Sequence, residues 1–129
     1  MDLGPHEALC RRILAETRRL LVERRLRHFV LLFHADAALA ADGPYGWQEP
    51  FLYSTLRELD LSFVSSKRAL LEDMADSGRP LRDYFETSRH YTALAYAATF
   101  PALARGIRGE FEPPEGYLPG RPEPPHEGR

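Results

Sequence analysis

Two carboxylates, Asp42 and Glu49, flank a short link rich in chain breakers, Asp42-Gly43-Pro44-Tyr45-Gly46-Trp47-Gln48-Glu49-Pro50. Together they pose the question of a small acidic site, where a hard ion such as Ca²⁺ or Mn²⁺ would need several oxygens. Two carboxylates begin such a site and leave the ion short of ligands. Asp36 is the other unusual acid. On a helical wheel it falls within the stripe of Phe29, Leu32, Phe33, Leu39 and Ala40. A carboxylate there must be paired, hydrogen-bonded, bound to a ligand or exposed at an interface.

Other chemistry is thinly represented. His34 falls on a different side of that wheel from Asp36, and the five histidines form no HxxxH or ExxH pair on one helix face. That argues against zinc-hydrolase and diiron centres. Glu86 and His90 are four apart, which suits a surface hydrogen bond. The sequence contains no GxSxG elbow, phosphate-binding glycine loop or dinucleotide fingerprint. Cys10 lies beside Arg11 and Arg12 at a core-edge position, as structural cysteines commonly do. No catalytic or cofactor-binding residue is assigned, and no cofactor is required beyond the optional divalent cation.

The elements that would position these groups read as helices. Helical spacing recurs almost throughout and sustained alternation is absent. The first helix is expected from Pro5 to about Arg25, with Leu9, Ile13, Leu14, Leu20 and Leu21 inward and an arginine-rich face in solvent. The second, about Arg27 to Ala41, is apolar over most of its circumference and reads as the central buried helix. The third starts near Gln48 with Pro50 in its first turn. The fourth is capped by Asp60 or Ser62 and runs through Leu70, Leu71 and Met74. Ser77-Gly78-Arg79-Pro80 closes it and opens a fifth, about Pro80 to Thr99, which Pro101 must kink or restart. A short last helix would end at Gly106 or Gly109.

Six of the eleven prolines lie between Pro113 and Pro125. A segment with so few large apolar groups is expected to stay disordered. The expected architecture is therefore all-α: a compact bundle of five to six helices over residues 1–109, and a proline-rich flexible tail over residues 110–129.

The 129 residues suit one domain, and a net charge of −2 gives no case for nucleic acid. Charge is uneven: residues 1–30 carry seven Arg and four acidic groups, and the rest carry ten basic and fifteen acidic groups. A single cysteine and the absence of a long apolar run suit a cytoplasmic protein without a membrane partner. Sixteen Arg to one Lys suggests a GC-rich, bacterial coding bias.

Residues 31–62 carry Ala41-Asp42-Gly43, a turn, Glu49 opening an amphipathic helix, and Leu59-Asp60-Leu61-Ser62 closing it. This stretch resembles the first half of the TerB-like, tellurite-resistance type helical family. The resemblance implies an all-α stress-response domain whose acidic residues bind divalent metal, here Asp42 and Glu49. It covers about a quarter of the chain. The second-half repeat of the family departs here, with Arg108 standing where an Asp is expected.

Residue chemistry favours a non-enzymatic interaction module, an adaptor or assembly factor acting through protein contacts. Tyr45, Trp47, Phe51 and Tyr53, with Asp36, are the expected contact residues, and the partner is another protein or a second copy in a homodimer. The alternative is a TerB-like protein binding a divalent metal or small ligand at the acidic turn.

Overall fold

The computed structural model describes residues 4–41, 43–87 and 89–117. Helices dominate: α1 Pro5–Glu23, α2 Asp36–Ala40, α3 Gln48–Glu58, α4 Ser66–Ser77 and α5 Ala93–Ile107. Two small sheets join them. Strands β1 (Val30–Leu32) and β2 (Phe63–Ser65) run parallel, with Leu32 opposite Ser65. Strands β3 (Phe85–Thr87) and β4 (His90–Tyr91) are antiparallel and follow a 3-10 turn at Leu81–Tyr84.

The expected central helix from Arg27 to Ala41 is therefore corrected to an extended strand followed by one short helix. Phe29-Val-Leu-Leu-Phe33 is continuously apolar, and such a run has no period to separate a buried helix from a parallel strand. Helices cover both faces of the β1–β2 pair. Val30, Leu32 and Phe63 pack with Leu14 of α1 and with Tyr53 and Leu56 of α3. Phe29, Leu31 and Val64 pack with Ala69 of α4 and Ala102 of α5. A third cluster ties Leu39, Leu70, Tyr84, Tyr91, Ala95 and Ala98 together.

Local signals set the helix ends. Ser65 caps α4 by accepting the Lys67 amide, so the cap falls three residues beyond Ser62. Gly78 ends α4 at φ 73°, a left-handed conformation that glycine adopts without penalty. The expected fifth helix from Pro80 is corrected too. The turn and the β3–β4 hairpin intervene, and Thr92 caps α5 through the Ala95 amide. Pro101 sits within α5 without ending it.

Helix α1 forms where expected, but its apolar stripe is only partly a core face. Leu9, Ile13 and Leu20 are exposed, and Leu14 joins the core. The helix also docks through Arg11 to Glu58 at 3.2 Å and Arg18 to Asp60 at 3.8 Å. Surface pairs of this kind contribute ~0–1 kcal/mol each, alongside the packing of Leu14.

The expected tail boundary at residue 110 also moves. The Glu112 amide donates to Phe63 O at 2.8 Å, along the outer edge of β2. Gly116 packs against the Tyr53 ring, and Arg68 lies over the Tyr117 ring. Residues 110–117 thus belong to the packed structure. The rest of the expected tail, 118–129, lies outside the described residues.

Candidate functional site

The parallel register that sets Leu32 beside Ser65 also places His34 just past the end of β1 and Ser65 at the end of β2. In open α/β sheets, function concentrates beyond the carboxyl ends of strands. Here a buried relay fills that position. The His34 Nδ1–H donates to Glu49 Oε1 at 2.9 Å, and Ser65 Oγ lies 3.1 Å from His34 Nε2. Because Ser65 Oγ already accepts the Lys67 amide, its own proton is free to point at Nε2.

Glu49 is held from four sides. Besides His34, it accepts from the Tyr45 amide at 3.0 Å and the Tyr53 hydroxyl at 3.4 Å, and it pairs with Lys67 Nζ at 3.5 Å. Lys67 is the only lysine of the chain. Its ammonium also donates to Gly43 O at 3.0 Å, and the residue is 1% exposed. Burial alone would raise the Glu49 carboxyl. The hydrogen bonds from His34 and Tyr45, with the positive charge of Lys67 nearby, outweigh it and hold the carboxyl below its ordinary value. Burial, reinforced by the Glu49 charge, pushes the Tyr53 hydroxyl up, so it remains a donor.

A second set of bonds closes around His34. Its amide donates to both Ser66 Oγ and Tyr91 Oη, and Tyr91 Oη donates back to His34 O at 2.8 Å. The connectivity of Ser65, His34 and Glu49 matches a nucleophile, its base and an orienting carboxylate. Ser65 has no exposed surface, however. A nucleophile must reach its substrate, so this relay acts as an internal clamp joining α3, β1 and α4.

The residues expected to carry function fall in different environments. Asp42 lies outside the described residues. Both Glu49 oxygens are occupied by protein donors. Among the described residues, no group of three or more His, Cys, Asp or Glu could hold a metal ion. Asp36 opens α2, half-buried, and its Oδ1 accepts the Ala37 amide. It does not sit inside a buried helical stripe, because the helix carrying that stripe does not form. Tyr45 and Trp47 are exposed and Phe51 is half-buried, 6.3 Å from Trp47 between ring centroids. Tyr53 is buried and stacks on Phe63 at 5.5 Å. The four aromatics therefore share no single exposed patch.

A second buried carboxylate, Glu112, faces Arg68 at 3.5 Å and Arg105 at 3.6 Å. Burial raises its carboxyl, and the two guanidiniums only partly offset this. It fastens residues 110–117 to α4 and α5.

An uncovered apolar surface lies on α5. Along α5, small residues face inward: Ala95, Ala98, Thr99, Ala102 and Gly106 are buried. The large ones face out. Tyr96 (56% exposed), Phe100 (65%) and Ile107 (63%) join Leu103 at spacings of four, three and four, one stripe of a helix. No charged residue occurs from Ala93 to Ala104. Phe33, 56% exposed, continues the stripe onto the β1 side through ring contacts with Tyr91 at 5.5 Å and Tyr96 at 6.4 Å. The sequence did hold this signal, in the uncharged span from Ala93 to Ala104, but it reads equally as a core helix. No helix among the described residues is long and apolar enough to cross a membrane. No protein-family model matches the chain, and no match was found among curated proteins or solved structures.

Proposed function

We propose that the chain is a non-enzymatic interaction module that docks another protein on the face formed by α5 and the outer side of β1. The observation that carries this reading is the outward stripe of Tyr96, Phe100 and Ile107, continued by Phe33. Contiguous exposed apolar surface of this kind marks contact sites, and aromatic residues anchor interfaces. Tyr45 and Trp47, exposed on the link before α3, offer a smaller contact point within the same reading. We place the protein in the cytoplasm, where Cys10 stays reduced.

A photo-crosslinking phenylalanine analogue at position 100 is expected to give protein adducts in the native host. The same analogue at Asp76, exposed on α4, is expected to give few. Equal adduct yields at the two positions would overturn the reading.

The metal-binding alternative needs Asp42 and Glu49 together. It is disfavoured because a cation at Glu49 must displace the His34 and Tyr45 donors and approach the Lys67 ammonium. Titration with calcium or manganese to millimolar concentration is expected to leave Trp47 fluorescence unchanged. A saturable change would restore the metal reading.

A further inference from the structure

We infer that the protein's partner on this face is a second copy of the same chain, joined edge to edge along β1. This inference rests on the interaction-module reading above and names the partner. The starting point is the open edge. In a strand, alternate residues direct their N–H and C=O groups to opposite sides. The Val30 amide donates to Ser62 O at 2.9 Å, so Val30 and Leu32 face β2. Phe29, Leu31 and Phe33 accordingly present their backbone groups away from it. On the far side of β2, the Glu112 amide covers part of the edge. Among the described residues, β1 pairs with no strand other than β2.

Monomeric proteins protect such edges with very short strands, charge, proline, bulges or a covering loop, and β1 has only its three-residue length. Residues 29–33, Phe-Val-Leu-Leu-Phe, carry none of the charges or prolines. A parallel pair with helices on both faces and one bare apolar edge is an incomplete sheet.

A two-fold axis satisfies this edge with itself. Antiparallel pairing with Leu31 opposite Leu31 of the second copy overlays all five apolar residues, setting Phe29 opposite Phe33 of the second copy. Directly opposed residues project to the same face of an antiparallel pair. Phe29 and Leu31 pack on the α5 side, so the new aromatic pairs form there. The axis stands perpendicular to the sheet, and both α5 stripes lie on the same face and approach each other.

Three further observations fit a second copy. The stripe is uncharged from Ala93 to Ala104, so self-apposition creates no like-charge contact there. The area is adequate: covering an aromatic side chain buries ~150–250 Å². Phe33, Tyr96 and Phe100, more than half exposed, with Ile107 and Phe111, therefore bring closure to roughly 600 Å² per copy, near the ~800 Å² of a standard interface. The ends also match. The register brings Arg27 beside Ala35 of the second copy, within reach of its Asp36. Neither Arg27 nor Asp36 forms an ion pair among the described residues.

Sedimentation equilibrium is expected to give the mass of two chains at micromolar concentration. Phe100→Glu, at a site 65% exposed, is expected to weaken association at least tenfold with an unchanged circular dichroism spectrum. In a Cys10→Ser background, Leu31→Cys is expected to form an interchain disulfide under mild oxidation, and Val22→Cys on exposed α1 is not. A monomer at 100 micromolar, or a Leu31→Cys chain that links no faster than Val22→Cys, overturns the inference. If the chain is monomeric yet the analogue at position 100 captures a different protein, the interaction reading stands and only the second copy falls. If neither self-association nor adducts occur, both fall.

Discussion

Glu49→Ala is expected to cost the protein ~3–5 kcal/mol, the range for breaking a buried ion pair by removing one partner. Against a whole-domain stability of ~5–15 kcal/mol, that is a large share of the total. The cost arises from what stays behind. The Lys67 ammonium, 1% exposed, would keep only Gly43 O as acceptor. His34 Nδ1 and the Tyr45 amide would lose their acceptor as well. Urea unfolding followed by circular dichroism measures the loss, and a midpoint within error of the unaltered protein would refute the clamp. The double variant Glu49→Ala/Lys67→Ala is expected to recover part of the stability, since it removes the stranded charge along with its partner. Non-additivity of that sign is what coupled groups produce.

The same carboxylate sets a pH dependence. Its folded pKa is depressed, by hydrogen bonds and positive charge that outweigh burial. A depressed carboxyl binds protons more weakly in the folded than in the unfolded chain. Its contribution is therefore complete above the unfolded value of ~4.3 and is lost as pH falls through the lower folded value. Glu112 acts with the opposite sign, because burial raises its carboxyl in the folded state. Glu49 therefore contributes to acid loss of stability below about pH 4.3, and the Glu49→Ala variant should show a shallower decline over that window.

Local chemistry made part of this fold legible from sequence. Pro5 opens α1, Pro50 sits in the first turn of α3, and Gly78 closes α4, each where its own backbone preference dictates. What was not legible depended on partners distant in sequence. Strands of three residues are too short to show alternation, whether in the apolar run of β1 or in Phe63-Val64-Ser65 of β2, so both read as helix. A helix over Arg27 to Ala41 turns His34 away from Asp36 and offers no basis for its meeting with Ser65, thirty-one residues away. The usable signal was a polar residue directly after an aromatic and β-branched run, as in Leu32-Phe33-His34 and Phe63-Val64-Ser65. Glu49 was singled out for its position on the link, but the physical consequence of that position is burial among donors. The apolar stripe of α1 is only partly a core face: Leu14 packs on the core and Leu21 is half-buried, while Leu9, Ile13 and Leu20 are exposed. Periodicity locates a face, and only the neighbouring chain decides whether that face is covered.

Gly106→Leu is the second substitution expected to act strongly, because α5 reaches the sheet only through small residues. A Cβ built on Gly106 would lie well inside van der Waals contact of three Phe29 ring carbons. Phe29 is held on one side by the Val64, Ala69 and Ala102 cluster and lies 6.0 Å from the Phe111 ring, so the ring must leave that packing to make room. Overpacking a close contact costs ~1–3 kcal/mol and sometimes more, and a branched side chain at the tightest point of α5 should fall at about 3 kcal/mol. Displacing Phe29 would also disturb β1, so the variant is expected to lose self-association together with stability. Phe29→Ala in the same chain vacates the ring and should return more than half of the lost stability, measured as the shift in urea midpoint between the single and double variants. Additive losses would show that the two residues do not meet and would remove this contact as the reason that α5 carries its small residues inward and its large ones outward.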